Sequence, residues 1–188
     1  MNMAYLGEEE LTAFGFRSLG RNVRISTKAS IYNPEAISIG DNSRIDDFCV
    51  VSGQVTLGRN VQVSIFCNIA GGKPGVTLED FATLAAGCHV FAQSDDYSGR
   101  TMTNPTIPRR YKEEIMEPVS IGRHVILGTQ SVVFPGVHIA EGCATGAHTL
   151  INRSTEPWGI YVGSPARRIK SREKGLLALE ATYLAEHG

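Results

Sequence analysis

A parallel β-helix, and so an all-β domain, is the fold the sequence predicts, and three observations predict it. An aliphatic residue returns every six positions: Leu19, Ile25, Ile31, Ile39, Ile45, Val51, Leu57, Val63, Ile69, Leu78, Leu84, Val90 and, after a long interruption, Ile121, Leu127, Val133, Ile139, Thr145 and Ile151, with small slips between some groups of three. Thr145 alone among them is not Leu, Ile or Val. Four residues after each stands a small or β-branched residue, Glu35 and Lys73 excepted. The period fits neither the 3.6 residues of a helical face nor the two of a strand; a six-residue unit is one side of a β-helix coil. A single coil cannot bury its own inward row, so coils must stack to make a core.

The elements follow in chain order. Residues 1–18 precede the repeat and are expected to cap it. Glu8, Glu9 and Glu10 before Leu11 suit the start of a short helix, which would cover the open edge of the first coil. Residues 19–165 form the repeat. Three hexapeptides per turn give about six coils, beginning at Leu19, Ile39, Leu57, Leu78, Ile121 and Ile139. The run Gly71-Gly72-Lys73-Pro74-Gly75 takes up a three-residue insertion at a corner. The long interruption is a loop over 96–118, rich in apolar residues and proline (Tyr97, Pro105, Ile107, Pro108, Tyr111, Ile115), which predicts an ordered arm; loops of this length in compact domains tend to be functional. Residues 166–188 are expected to form a C-terminal helix with Leu176, Leu177, Leu179, Tyr183 and Leu184 on its apolar side.

The chain of 188 residues carries a net charge of −1. That leaves no electrostatic footprint for nucleic acid or an anionic membrane. No apolar run reaches the ~20 residues of a spanning helix, and the first residues lack the basic start and apolar stretch of a secretory signal. Cytoplasmic residence without membrane insertion is the expectation. Cys49, Cys67, Cys88 and Cys143 each stand four residues after an aliphatic repeat position, in the small inward slot. They are expected to be buried and free, since buried Cys behaves as a small hydrophobe and no CxxC pair supports a zinc site.

The motifs Pro118-Val119-Ser120-Ile121-Gly122, Val133-Phe134-Pro135-Gly136-Val137, Thr145-Gly146-Ala147 and Gly163-Ser164-Pro165-Ala166-Arg167 resemble the hexapeptide-repeat acyltransferases, in particular the maltose, galactoside and lipopolysaccharide O- and N-acetyltransferases. The segment Ser94-Asp95-Asp96-Tyr97-Ser98-Gly99 with Asn104-Pro105 resembles members found in surface-polysaccharide biosynthesis. The resemblance implies a left-handed coil, a homotrimer with sites in the clefts between columns, and acetyl-CoA as co-substrate with no metal required. It implies that Thr129 and Ala147 contact the pantetheine through backbone groups, with Asn152, Arg153, Arg167 and Lys170 around the nucleotide end. Arg and Lys give charge-assisted hydrogen bonds to the phosphates such a ligand carries. The acceptor would be a sugar or nucleotide sugar.

Acyl transfer needs a base and a stabilised oxyanion. Where the maltose-type enzymes place a histidine, five residues after Val90, this chain has Asp95. A carboxylate of ordinary pKa ~3.9 is poorly matched to deprotonating a hydroxyl. Three readings stay open: Asp95 acts with a raised pKa, the acceptor is an amine, or a histidine takes over. His138 stands five residues after Val133 as Asp95 does after Val90, so the coil count predicts an Asp95–His138 pair one strand spacing apart. Asp96, Tyr97, Asn104 and Tyr111 on the arm are candidate acceptor contacts. Two alternatives compete with acetyl transfer to a sugar: a non-catalytic β-helix scaffold, and a γ-carbonic-anhydrase-like hydratase, for which the close HxxxxH pair is missing.

Overall fold

The computed structural model describes residues 4–187. The chain winds as a parallel β-helix of triangular section, and the inward row of the repeat is its core. Ile25, Ile45, Val51, Val63, Ile69, Leu78, Leu84, Val90, Ile121, Leu127, Val133, Ile139 and Ile151 are all fully buried. Repeat residues pair coil on coil. Leu19 faces Ile39, Ile39 faces Leu57, Leu57 faces Leu78, Leu78 faces Ile121 and Ile121 faces Ile139 along what we term the first face. The second face carries Ile25 through Thr145 and forms an eight-stranded sheet. The third face carries Ile31 through Ile151 and joins the first in a ten-stranded sheet. It does so because strands Val50–Leu57 and Asn68–Leu78 run unbroken round the corner, the glycine-rich step lying in the second of them. Six coils are complete, and strand Gly159–Val162, paired with Ala144 and Thr145, begins a seventh.

The corners explain residue types that the core does not. Asn22, Asn42 and Asn60 follow first-face repeat positions by three and turn with φ of 56° to 59°, a left-handed conformation that asparagine tolerates better than most residues. In the uppermost coil the same place is Gly142, whose φ is +70°; the Trp158 ring packs where a Cβ would stand.

Helix α1 (Glu8–Ala13) begins on the acidic run, which fills its first turn. The Glu10 carboxylate accepts the Gly7 N–H at 2.8 Å, and Leu11 inserts into the core. At the other end the structure corrects the sequence reading. Arg167–Ser171 is a strand, antiparallel to Gly159–Val162, and helix α2 spans only Leu176–His187. The seventh coil would otherwise present an open edge, and pairing it is worth more than the weak helical tendency of this segment. Helix α2 returns down the side of the column: Asn60 Nδ2 donates to Tyr183 Oη at 2.9 Å, and His124 Nε2 lies 2.9 Å from Glu180 Oε2.

Candidate active site

The long arm leaves the column earlier than its composition indicates. Gln93–Asp95 already pairs antiparallel with Glu114–Met116, Asp95 opposite Glu114. The Glu117 N–H bonds the Ala92 carbonyl, closing the arm's root. Asp95 therefore stands on the arm stem, outside the coil. Its Oδ2 accepts the Asn104 N–H at 3.3 Å, and its other oxygen has no partner among the described residues. Across the stem, Lys112, with its side chain almost wholly buried, pairs with Glu114 at 2.9 Å, so the second carboxylate of the stem is already neutralised.

Beyond the stem the arm folds over a cavity of about 630 Å³ lined by Asp95, Asp96, Tyr97, Thr101, Met102, Asn104 and neighbouring loop residues. Tyr97 is 88% exposed at its rim. The Asp96 carboxylate accepts the Ser98 N–H and hydroxyl at 2.9 and 2.7 Å, which holds its carboxyl below the usual range and builds the turn. Tyr111 lies apart from the cavity, with the Arg110 guanidinium 4.7 Å from its ring. Three of the four expected acceptor contacts thus converge with Asp95.

The expected Asp95–His138 pair does not form. The residue beneath His138 is Ser120, and the Ser120 hydroxyl lies 2.6 Å from His138 Nδ1. Counting five residues from Val90 assumed that the chain was still on the coil at Asp95, whereas it leaves after Ala92. His138 instead closes the end of a groove of about 450 Å³ on the first face, which also includes Arg17, Thr56, Thr77 and Ser120. Sequence reading missed this groove. Its signal was present: the residue before each first-face repeat position is Ser18, Ser38, Thr56, Thr77, Ser120 and His138, an outward hydroxyl ladder capped by an imidazole.

The two predicted pantetheine contacts share one corner. Ile126 pairs with Ala144, which sets Thr129 and Ala147 one coil apart where the second face turns into the third. Both are exposed, and among the described residues neither backbone N–H has a hydrogen-bond partner. The Thr129 carbonyl accepts the His148 N–H at 2.8 Å. Asn152 and Arg153 are exposed at the end of the third face. The Ala166 N–H bonds the Leu150 carbonyl at 2.8 Å, tying the start of the Arg167–Ser171 strand, with Arg167 and Lys170, to this end of the column.

The four cysteines are free and buried. The neighbouring Cys67 thiol and burial push the Cys49 thiol up. No cluster of three or more His, Cys, Asp or Glu side chains among the described residues could hold a metal ion.

A family model for the hexapeptide repeat of succinyl-transferase matches residues 118–151. Over 96% of its length the chain is 41% identical to the dTDP-4-amino-4,6-dideoxy-D-glucose acyltransferase of Escherichia coli, covering 95% of that protein. This chain belongs to the hexapeptide-repeat acyltransferases. Among solved members of this acyltransferase family is AntD, an N-acyltransferase from Bacillus cereus. A variant of AntD in complex with dTDP-4-amino-4,6-dideoxyglucose and coenzyme A superposes with a TM-score of 0.97, at 45% identity over 99% of this chain and 100% of that one. AntD with dTDP and 3-hydroxybutyryl-CoA gives 0.96, at 45% identity over 99% and 98% of the two chains. The putative lipopolysaccharide biosynthesis O-acetyl transferase WbbJ of Escherichia coli K12 is 29% identical over 80% of each chain. The solenoid of this acyltransferase is the left-handed parallel β-helix of its family.

Proposed function

We propose that this acyltransferase moves an acyl group from acyl-CoA to the amino group of a dTDP-linked 4-amino-4,6-dideoxy sugar. The observation that carries the reading is the full-length match to an enzyme named for that acceptor, at 41% identity. The near-superposition on AntD, bound to the same sugar nucleotide and coenzyme A, supports it. Acetyl is the acyl group we assign to the donor. Surface-polysaccharide biosynthesis in the cytoplasm is the setting it suggests, and no helix among the described residues is long and apolar enough to cross a membrane.

An amine acceptor removes the difficulty with Asp95. The neutral amine attacks the thioester carbonyl, forming a C–N bond and a tetrahedral oxyanion. The nitrogen becomes positively charged and gives up its proton readily, so a carboxylate can serve as the acceptor. Collapse of the intermediate breaks the C–S bond and releases coenzyme A, whose sulfur takes up a proton. Asp95, half-exposed on the arm stem with one oxygen unengaged, is the residue we assign to proton removal. Tyr97 and Asn104 would orient the sugar, while Asp96 shapes the turn that carries them. His138, tied to Ser120, has no part in this reading.

On the donor side, Thr129 and Ala147 would offer backbone N–H groups to the pantetheine, and Asn152, Arg153, Arg167 and Lys170 would receive the nucleotide end. The donor corner and the arm cavity are separate features of one chain, so a homotrimer that sets one subunit's arm beside its neighbour's corner completes the site. The test is direct. Enzyme, acetyl-CoA and dTDP-4-amino-4,6-dideoxyglucose should yield free thiol together with a nucleotide sugar heavier by one acetyl group. Thiol release without the acylated nucleotide sugar would reject the proposal.

A further inference from the structure

Phe48 and Phe66 are placed where a fold under no other demand would not put them. Each follows a second-face repeat position by three and turns the corner with φ of 60° and 61°, a backbone region disfavoured for bulky side chains. Equivalent turns in higher coils use Gly87, Gln130 and His148, and the corresponding turns of the first three coils at another corner use asparagine. Burial does not account for the phenylalanines, since they are 51% and 56% exposed. Their rings stack on each other, centroids 5.1 Å apart and 13° from parallel. Lys28 Nζ sits 5.4 Å from the Phe48 ring and 2.8 Å from Asp47, bracing the lower end of the pair. Phe81 takes the same turn at another corner but is packed against His124 and Tyr183, so it is exposed rings in this strained turn that point to function.

The position indicates which function. This is the corner that carries Thr129 and Ala147. Backbone bonds link it coil by coil: His148 N–H to Thr129, Gln130 N–H to Ala86, Gly87 N–H to Ile65 and Phe66 N–H to Asp47, at 2.8 to 3.0 Å. With about 4.8 Å between coils, Phe66 lies one coil below Gly87 and Phe48 two. The aromatic pair therefore continues the proposed donor line on its far side. A donor descending from the C-terminal coils brings its thioester toward the middle of this corner, so the acceptor must reach that point from below. The part of a nucleotide-linked acceptor farthest from its reacting sugar is a planar base.

We propose that Phe66 and Phe48 form a stacking platform for the nucleobase of the acceptor, and that this platform is why the enzyme would take a nucleotide-linked sugar in preference to a free one. The inference rests on the function proposed above. Asparagine keeps the left-handed turn, as it does at Asn42 and Asn60, so Phe66→Asn and Phe48→Asn remove the ring and spare the backbone. Calorimetric titration with dTDP should show binding weakened on the order of 10-fold in Phe66→Asn, the scale of one lost base–aromatic stack. The KM for the dTDP-linked amino sugar should rise in step, with the KM for acyl-CoA unchanged and light scattering showing the same assembly as wild type. Unchanged dTDP affinity in both variants overturns the platform. Dissociation of the assembly overturns it too, and makes the pair a contact between copies of this chain. Failure of the wild-type enzyme to acylate any dTDP-linked amino sugar would overturn the proposed function instead, and is distinguished by the wild-type assay alone.

Discussion

The Thr145 hydroxyl accepts the Gly128 N–H at 2.9 Å and lies 3.1 Å from Ser131 Oγ. A hydroxyl at an aliphatic repeat position thus satisfies the turn that leads into Thr129. Restoring the repeat with Thr145→Val should lower stability by roughly 1 kcal/mol, the scale of a hydrogen bond lost with one partner left unpaired; thermal unfolding checks it. Asp95 is the residue on which the proposed chemistry depends most. Asp95→Asn keeps the size of the side chain and removes its basicity, so kcat should fall about 100-fold while the KM for acyl-CoA stays level. A nearly silent Asp95→Asn would mean that water alone takes the proton. Asp95 also marks where the sequence misled. Its type and its nearness to the arm were legible, but its pairing was not, because the count of five from Val90 carries no sign that strand pairing switches from the coil to the arm stem at Gln93. The outward ladder Ser18, Ser38, Thr56, Thr77 and Ser120 and the corner aromatics Phe48 and Phe66 could have been read from the same period of six. The inward row, which specifies the core, carries no information about the outward one.

At the scale of elements, the arm and helix α2 carry separable roles. The arm holds Asp95, Tyr97 and Asn104, and none of the donor-side residues. Replacing 96–113 by a short glycine-containing turn between the stem strands should leave thermal stability and coenzyme A binding near wild type and abolish acyl transfer, measured by thiol release. Helix α2 is anchored at His124, which is buried against Phe81 with ring centroids 5.1 Å apart. Burial first, then Arg123 and, less, Arg172, lower the His124 pKa below 6.5, with Glu141 and Asp80 opposing them. Arg123 pairs with Glu180, so neutral His124 can donate a hydrogen bond to that carboxylate. The unfolded chain therefore binds the proton more readily. Stability from this site is fully present above pH 6.5 and is lost as pH falls through the lower folded value. The melting temperature should decline over that range, and His124→Gln should flatten the decline; an unchanged slope would remove His124 from the account. The helix itself was legible from its leucines. The strand Arg167–Ser171 before it was not, because a five-residue segment that exists to close a sheet edge has no periodicity of its own.

For the whole molecule, the repeat makes a rail whose outward positions recur every 4.8 Å or so, and the proposed chemistry is placed on one insertion and one corner. That division explains why the fold was readable from the inward row alone while the acceptor was not: the inward row carries the core and not the substrate, and the arm residues follow no period. The acceptor group proposed here is an amine on a nucleotide-linked sugar. The measurement that tests it most directly is kcat/KM for thiol release from acetyl-CoA with two acceptors that differ in one group, dTDP-4-amino-4,6-dideoxyglucose and the same nucleotide sugar bearing a 4-hydroxyl. Efficient turnover of the amine is expected, with a loss of at least about 100-fold for the hydroxyl, whose proton is far harder to remove than that of the ammonium formed by the amine. Equal turnover of the two, or faster turnover of the hydroxyl sugar, would contradict it.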